Sequence, residues 1–414
     1  MMRKFFVLAL LAPVFFFSQQ SRTLQQCEEA FIKNNLLLIA QQYNIDVNDA
    51  DIMQAKIWDL PQVSFQANLI DPNKPSFLNL GPSKSVGVQQ LFLLGGKRKL
   101  EVEFAKSNKE LAQLQFNQLL VDLKAQLRET FYSLYFDQKK IKNIDNQLGY
   151  MNDLLKAYRV QTAKGNISLK DQVRLNTIVL SLNNDRIQIN NEIVALNQTM
   201  MTLTGDPQTI EPEISIEEER ELLRSAPLQN LEELQQKALE NNADYLFSLK
   251  AIENNRANYN LQKSMNIPDL TAGLQWNQAG GLYQNEINFG VGIPIPLWKR
   301  NEGNVKKAQM QIEQAQKNTD YKKLSLMNAV TSAYQTWENQ YQMYERMPQK
   351  DIQDLETVYK GMTENFRRGN VTLIEFTDFM DSYKQATLQL FEIQKQILIS
   401  AEELNRLTQT KTFN

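Results

Sequence analysis

The chain has 414 residues, with 45 Lys+Arg against 47 Asp+Glu, a single Cys and no His. Near-zero net charge argues against a nucleic-acid binder, which carries a basic excess; without His there is no imidazole chemistry or His-ligated metal, and a lone Cys27 excludes intrachain disulfides, CxxC redox chemistry and four-cysteine zinc sites. Its 15 Gly and 12 Pro are roughly half the usual combined share of about 12%, which favours long uninterrupted helices over a loop-rich catalytic fold.

Met1 to Ser18 reads as a secretory signal: Arg3 and Lys4 start it, and Phe5 to Phe17 is an apolar run of 13 residues, short of the ~20 that a membrane-spanning helix needs. Residues 1–20 are therefore assigned to a signal peptide, with cleavage between Ser18 and Ser21. Cys27 follows Leu24-Gln25-Gln26, without the small residues of a lipidation site, and is not read as a lipidated N-terminus. Later apolar runs fall short of a span, so any membrane crossing must use strands.

The chain then repeats itself. Asn34-Asn35 and Asn241-Asn242 lie 207 residues apart, as do Pro61 and Pro268, and Lys164-Gly165-Asn166-Ile167-Ser168-Leu169 matches Arg368-Gly369-Asn370-Val371-Thr372-Leu373 at an offset of 204. Each half reads helix, strand, strand, very long helix, tight turn, long helix. This predicts a first repeat over 21–205, a linker over 206–229 and a second repeat over 230–414. The linker's Glu217-Glu218-Glu219 reads as a solvated surface.

Period-two alternation predicts strands over 63–69, near 84–93, and over 270–277 and 287–295. Val63, Phe65, Ala67 and Leu69 alternate with Ser64, Gln66 and Asn68; Ile287, Phe289, Val291 and Ile293 alternate with Asn288, Gly290 and Gly292. Each run approaches the ~9–11 residues of a tilted transmembrane strand. The polar faces are small and uncharged, as a watery lumen allows, although a half-buried soluble sheet would alternate equally. Four strands cannot close a barrel in lipid, so chains must share one; three chains supply twelve strands, enough to leave a channel.

Helices are predicted over 24–57, 97–164, 169–204, 231–266, 303–366 with a shift near Pro348, and 373–409. The second alone would be on the order of 100 Å long. Heptads run through Leu120, Leu127, Leu134, Ile141, Leu148 and Leu155, and through Phe376, Tyr383, Leu390, Ile397 and Leu404. Segment 169–204 carries two stripes: Val173, Leu180, Ile187, Val194 and Met201, and, two residues on, Leu175, Leu182, Ile189, Leu196 and Leu203. Positions two apart stand ~200° round the helix, so both sides need a neighbour, as in a closed tube of helices. Asn176, Asn183, Asn190 and Asn197 form a polar line, read either as lumen lining or as an outer wet face. Met343 and Met347 at i, i+4 read as core packing, not a metal ladder.

These features resemble the TolC family of outer-membrane efflux channels. The segments Gln90-Leu91-Phe92-Leu93-Leu94-Gly95-Gly96-Lys97-Arg98 and Ile293-Pro294-Ile295-Pro296-Leu297-Trp298-Lys299-Arg300-Asn301-Glu302-Gly303 are similar to strand-to-helix junctions of the heavy-metal, CzcC-like branch. The resemblance implies a mainly α chain with a small β part: long coiled-coil hairpins building an α-barrel, and four strands per protomer in a trimeric twelve-stranded β-barrel. It implies a homotrimer in the outer membrane of a Gram-negative bacterium, in contact with outer-membrane lipid, with its tunnel in the periplasm. The expected partners are a periplasmic adaptor (membrane fusion) protein and an inner-membrane RND-type pump, with no nucleic acid, no cofactor, no bound metal and no catalysis. The cargo expected is heavy-metal cations, with small toxic organics second; a secreted coiled coil without a pore is the rival. Docking tips fall at Gly165, Asn166, Ser168 and Leu169, and at Gly369, Asn370, Thr372 and Leu373. Ser168-x-x-Asp171 and Thr372-x-x-Glu375 read as capping boxes. Glu375, Asp378 and Asp381 are placed at the periplasmic entrance gate, with Arg367 and Arg368 as candidate partners of these acids.

Overall fold

The computed structural model describes residues 20–69, 83–225, 230–279, 283–295 and 301–413. The signal over 1–19, Pro227, and the junction residues Pro296 to Arg300 lie outside the described residues. The order of elements is β1 (Gln20–Arg22), α1 (Leu24–Asn34), α2 (Leu36–Ala55), β2 (Gln62–Ala67), β3 (Lys84–Phe92), α3 (Lys97–Ala163), α4 (Leu169–Thr204), β4 (Ile210–Pro212) and α5 (Ile216–Arg224). It continues with α6 (Leu231–Asn241), α7 (Ala243–Ser264), β5 (Leu270–Ala279), β6 (Tyr283–Gly292), α8 (Glu302–Glu345), α9 (Gln349–Arg367) and α10 (Leu373–Thr408). Helix dominates, and no described helix is long and apolar enough to cross a membrane.

Three of the predicted helices are split. The segment 24–57 breaks at Asn35, whose Oδ1 accepts from the backbone N–H groups of Leu37 and Leu38. The segment 231–266 breaks at Asn242, whose Oδ1 accepts from Tyr245 N. An Asn side chain offers the backbone a local acceptor and starts a new helix rather than continuing the old one. The segment 303–366 breaks at Pro348, which has no N–H for the helical ladder. The predicted linker is also partly ordered: β4 pairs in parallel with β1, and α5 is capped at Ser215. Sequence periodicity had no means of finding so short and non-local a strand pair.

Two compact units divide the described residues. The first contains residues up to Ile39, Leu120–Ala238 and Asn328–Asn414. Its core joins Ile144, Leu148, Met151 and Leu155 of α3 to Leu175, Leu182 and Ile189 of α4 and to Phe376 and Met380 of α10. Only one stripe of α4 is used: Leu175, Leu182, Ile189 and Leu203 are buried, whereas Val173, Leu180, Ile187 and Val194 are each more than half exposed. The Asn line divides likewise. Asn176 and Asn183 are exposed, but Asn197 is buried, and its Oδ1 accepts from Ile210 N to hold β4. At the end of α4, the amides of Asn34 and Asn35 donate to the carbonyls of Thr204 and Leu203, satisfying groups left open by the helix terminus.

Charges in this unit are paired where burial would make them costly. Arg128 joins Glu28 to Glu402, and Lys140 joins the buried Asp137 to Glu392. Glu219, expected to be solvated, is instead largely covered; it accepts from the Tyr135 hydroxyl and from Lys139. Burial opposes ionisation of Glu392, but hydrogen bonds from Lys140, Lys395 and Gln396 overcome it and hold the carboxyl at about 2. A depressed carboxylate stabilises the fold above its unfolded pKa, near 4.3, and loses that contribution as pH falls through the folded value. Thermal melts from pH 7 to pH 2 are expected to show Glu392→Gln flattening the loss of stability below about pH 4.3; an unchanged slope would mean that this carboxylate is not a main contributor to acid sensitivity.

The second unit contains Ala40–Leu119 and Leu239–Met327. Its sheet has the antiparallel order β2-β3-β5-β6, leaving β2 and β6 as edges. The register aligns Phe65, Val86, Trp276 and Ile287 across all four strands, and beside them Val63, Val88, Leu274 and Phe289. The alternate row is Ser64, Gly87, Gln275 and Asn288. One face is therefore apolar and the other polar. Gly273 belongs to the polar face, where a Cβ would stand 2.9 Å from the Val88 carbonyl oxygen.

Lys97 ties this sheet to the start of α3. Its ammonium is almost wholly buried and donates to the Ile267 carbonyl (2.7 Å) and to Asp269 Oδ1 (2.6 Å), which also accepts from Leu94 N. A lysine in the first turn opposes the helix dipole, and the aspartate offsets that.

Candidate functional site

The candidate site is the pair of helix-turn-helix tips in the first unit. Both tips are built alike. After α3, Gly165 N donates to the Thr162 carbonyl and Asn166 N to the Gln161 carbonyl; after α9, Gly369 N donates to Phe366 and Asn370 N to Asn365. This is the double bond of a Schellman turn, and it needs a left-handed residue. Gly165 and Gly369 supply it, with φ of 77° and 78°.

The restarts differ. Thr372 and Glu375 form a full capping box: Thr372 Oγ1 accepts from Glu375 N, and Glu375 Oε2 accepts from Thr372 N. Ser168 accepts from Asp171 N, but the Asp171 carboxylate takes the Ser168 hydroxyl instead of its backbone N–H. Asp is one methylene shorter than Glu, so the expected box is only half made. Leu169 stands exposed on its tip near Val173, while Leu373 packs against the core at the other.

The three acids lie on successive turns of α10, all exposed. Hydrogen bonds from Thr372 hold Glu375 below the usual carboxylate range. Asp381 accepts from Gln385 and stands 3.6 Å from Lys384, which is chiefly engaged by Asp185 and Ser181 of α4. Asp378 has no hydrogen bond or ion pair among the described residues. Arg367 and Arg368 do not serve these acids; both pair with Glu364, three and four residues earlier on their own helix, where the side chains already face each other. Within the single chain Met343 is nearly half exposed and Met347 is half-buried. Among the described residues no group of three or more acids or thiols is placed to hold a metal ion.

An aromatic clasp escaped the sequence reading. Phe366 of α9 stacks on Phe376 of α10 at 4.2 Å, and Tyr359 stacks on Tyr383 at 4.7 Å. Tyr150 of α3 tilts against Phe376 and donates its hydroxyl to the Thr363 carbonyl. The signal was present: Tyr359 and Phe366 are seven apart, as are Phe376 and Tyr383, so two heptads with aromatics in matching places meet across one turn.

Residues 234–409 match the family described as outer membrane efflux protein. Over 376 residues, 90% of this chain and 87% of the relative, the chain is 23% identical to the cobalt-zinc-cadmium resistance protein CzcC of Cupriavidus metallidurans. The fold is similar to that of CusC, with a TM-score of 0.73 and 15% identity over 93% of this chain and 91% of that one. It is likewise similar to the CmeC outer membrane channel of Campylobacter jejuni, with a TM-score of 0.75 and 12% identity over 94% and 86%.

Phe376 is fully buried between three helices. Phe376→Ala is expected to cost about 3–5 kcal/mol, as truncation of a packed aromatic does, with Phe366→Ala costing less because that residue is partly exposed. Denaturant unfolding followed by near-ultraviolet circular dichroism measures both, and a cost below about 1 kcal/mol for Phe376→Ala would remove the clasp as a stability element.

Proposed function

We propose that this member of the outer membrane efflux protein family is the exit duct of a tripartite efflux system, working as a homotrimer. The observation that carries the reading is the four-stranded sheet. Its apolar and polar rows are exposed or only partly covered, and among the described residues the outer edges of β2 and β6 have no strand partner. An open, one-sided sheet of this kind fits neither water nor lipid alone. Three copies joined edge to edge make a closed barrel of twelve strands, with the row of Phe65, Val86, Trp276 and Ile287 against lipid and the row of Ser64, Gly87, Gln275 and Asn288 around a watery lumen.

The same step covers the bare stripe of α4, since a neighbouring helix then lies against Val173, Leu180, Ile187 and Val194. The result is a helical tunnel in the periplasm of a Gram-negative bacterium and a barrel in its outer membrane. A secreted coiled coil without a pore would leave the apolar rows of the sheet uncovered. The two structural repeats, 21–205 and 230–414, are supported by matching Schellman turns 204 residues apart and by Asn helix breaks 207 apart.

The tips at Gly165, Asn166, Ser168 and Leu169 and at Gly369, Asn370, Thr372 and Leu373 dock a periplasmic adaptor, and an inner-membrane RND-type pump supplies the transport work. This chain performs no catalysis. Glu375, Asp378 and Asp381 become rings of carboxylates at the entrance under threefold symmetry, attracting cations and resisting close approach. Asp378, unpaired among the described residues, contributes most freely. The cargo is heavy-metal cations, by likeness to CzcC, whose name states cobalt, zinc and cadmium resistance.

Purified trimers are expected to conduct ions in planar bilayers, and Glu375→Ala with Asp378→Ala to raise conductance. Folded trimers that never conduct would end the channel reading, and unaltered conductance in the double variant would place the gate elsewhere. A deletion strain is expected to lose tolerance to cobalt, zinc or cadmium; unchanged tolerance to these and to copper and silver would turn the cargo towards small organics.

A further inference from the structure

At the helical end of the sheet lies a cluster of cations that have no charge partner among the described residues. Ile57, Trp58 and Leu60, just before β2, are each more than half exposed, and Leu60 is 81% exposed. The guanidinium of Arg98, in the first turn of α3, lies over the Trp58 ring with its carbon 3.5 Å from the ring centroid. Arg98 has no hydrogen bond or ion pair among the described residues, and its Nε is shielded from water without an acceptor. Lys56, next to Ile57, has an ammonium equally without a partner there. Asp59 and Glu101 stand close in sequence, yet neither takes up Arg98 or Lys56.

This is unusual in a chain that pairs its other junction cation so thoroughly. Lys97, one residue earlier, is bound by both Ile267 and Asp269. The first turn of α3 carries Lys97, Arg98 and Lys99 and no acid, a sign that the helix dipole disfavours unless an anion is near. A planar guanidinium stacked on an aromatic ring keeps its outward N–H groups free for a bidentate oxyanion. Trp is the side chain most at home where hydrocarbon meets polar headgroups.

We propose that Arg98, stacked on Trp58, binds the phosphate of a membrane glycerophospholipid at the rim where the sheet passes into the helices, with Lys56, two residues before Trp58 in sequence, adding positive charge. Ile57 and Leu60 contact the upper acyl chain. The occupant is a lipid, because the patch continues into Val63 and Phe65 on the apolar face of β2, so one molecule reaches both the charge and the apolar surface. The inference rests on the channel reading, which puts that apolar face in the bilayer.

The test uses full-length mature trimers in detergent, titrated with phosphatidylglycerol and followed by native mass spectrometry. Wild type is expected to retain bound phospholipid, and Arg98→Gln to weaken that binding by about tenfold, the loss expected for one charge-assisted phosphate contact. Trp58→Leu is expected to weaken it as well, and Arg98→Lys to restore part of it. Inorganic phosphate at matching concentration is not expected to compete, since it lacks the acyl portion; competition would overturn the lipid assignment. Planar-bilayer conductance of the same preparations separates the two claims. Conducting Arg98→Gln trimers that bind phospholipid like wild type overturn this inference and leave the channel intact, whereas non-conducting wild type removes the channel reading itself. If Arg98→Gln instead dissociates the trimer, the patch is a contact between copies and the lipid site is refuted.

Discussion

Apolar surface that one chain cannot cover governs this molecule. Burial of apolar area stabilises by roughly 25 cal/mol per Å², and soluble monomers rarely leave contiguous patches bare. Here α4 buries Leu175, Leu182 and Ile189 inside its own unit but presents Val173, Leu180, Ile187 and Val194 outward, and the sheet presents aligned apolar rows beside open edges. These demands have different solutions. A helix stripe is satisfied by another helix, and a sheet edge only by another strand, while an apolar sheet face in this setting calls for lipid. In the proposed trimer, copies arranged around an axis meet the first two together and leave the last facing the membrane.

The interior shows the complementary economy. Charges that burial would penalise are joined in chains, such as Glu28, Arg128 and Glu402, or Asp137, Lys140 and Glu392. Breaking one partner of such a group leaves another stranded, which costs more than the pair itself contributes. These links tie α3 to α1 and α10, elements far apart in sequence. By contrast, the acids of the candidate gate are exposed and lightly paired.

The two tips illustrate how local chemistry and packing divide the work. Both use glycine in a left-handed turn and a hydroxyl cap, so their backbone course is set within a few residues. Their side-chain environments nevertheless diverge. At the second tip the Phe366–Phe376 stack and the half-buried Leu373 bind the turn to the core, whereas at the first Leu169 is left outside. The second tip is therefore the more closely packed on the core, and the first leaves more apolar surface bare.

Elements with a strong period were legible in the sequence: four alternating strands, the long helices, the paired turns and the two stripes of α4. Their cause is local, since periodicity, left-handed glycine and capping hydroxyls act over a handful of residues. Tertiary structure decided the rest. It chose which α4 stripe faces inward, sent Asn197 to β4 rather than to an open face, drew Glu219 against Tyr135 and Lys139, and gave Arg367 and Arg368 to Glu364. Those outcomes depend on which distant group arrives first within hydrogen-bonding or contact distance, and a pattern along one strand or helix carries no record of what will pack against it.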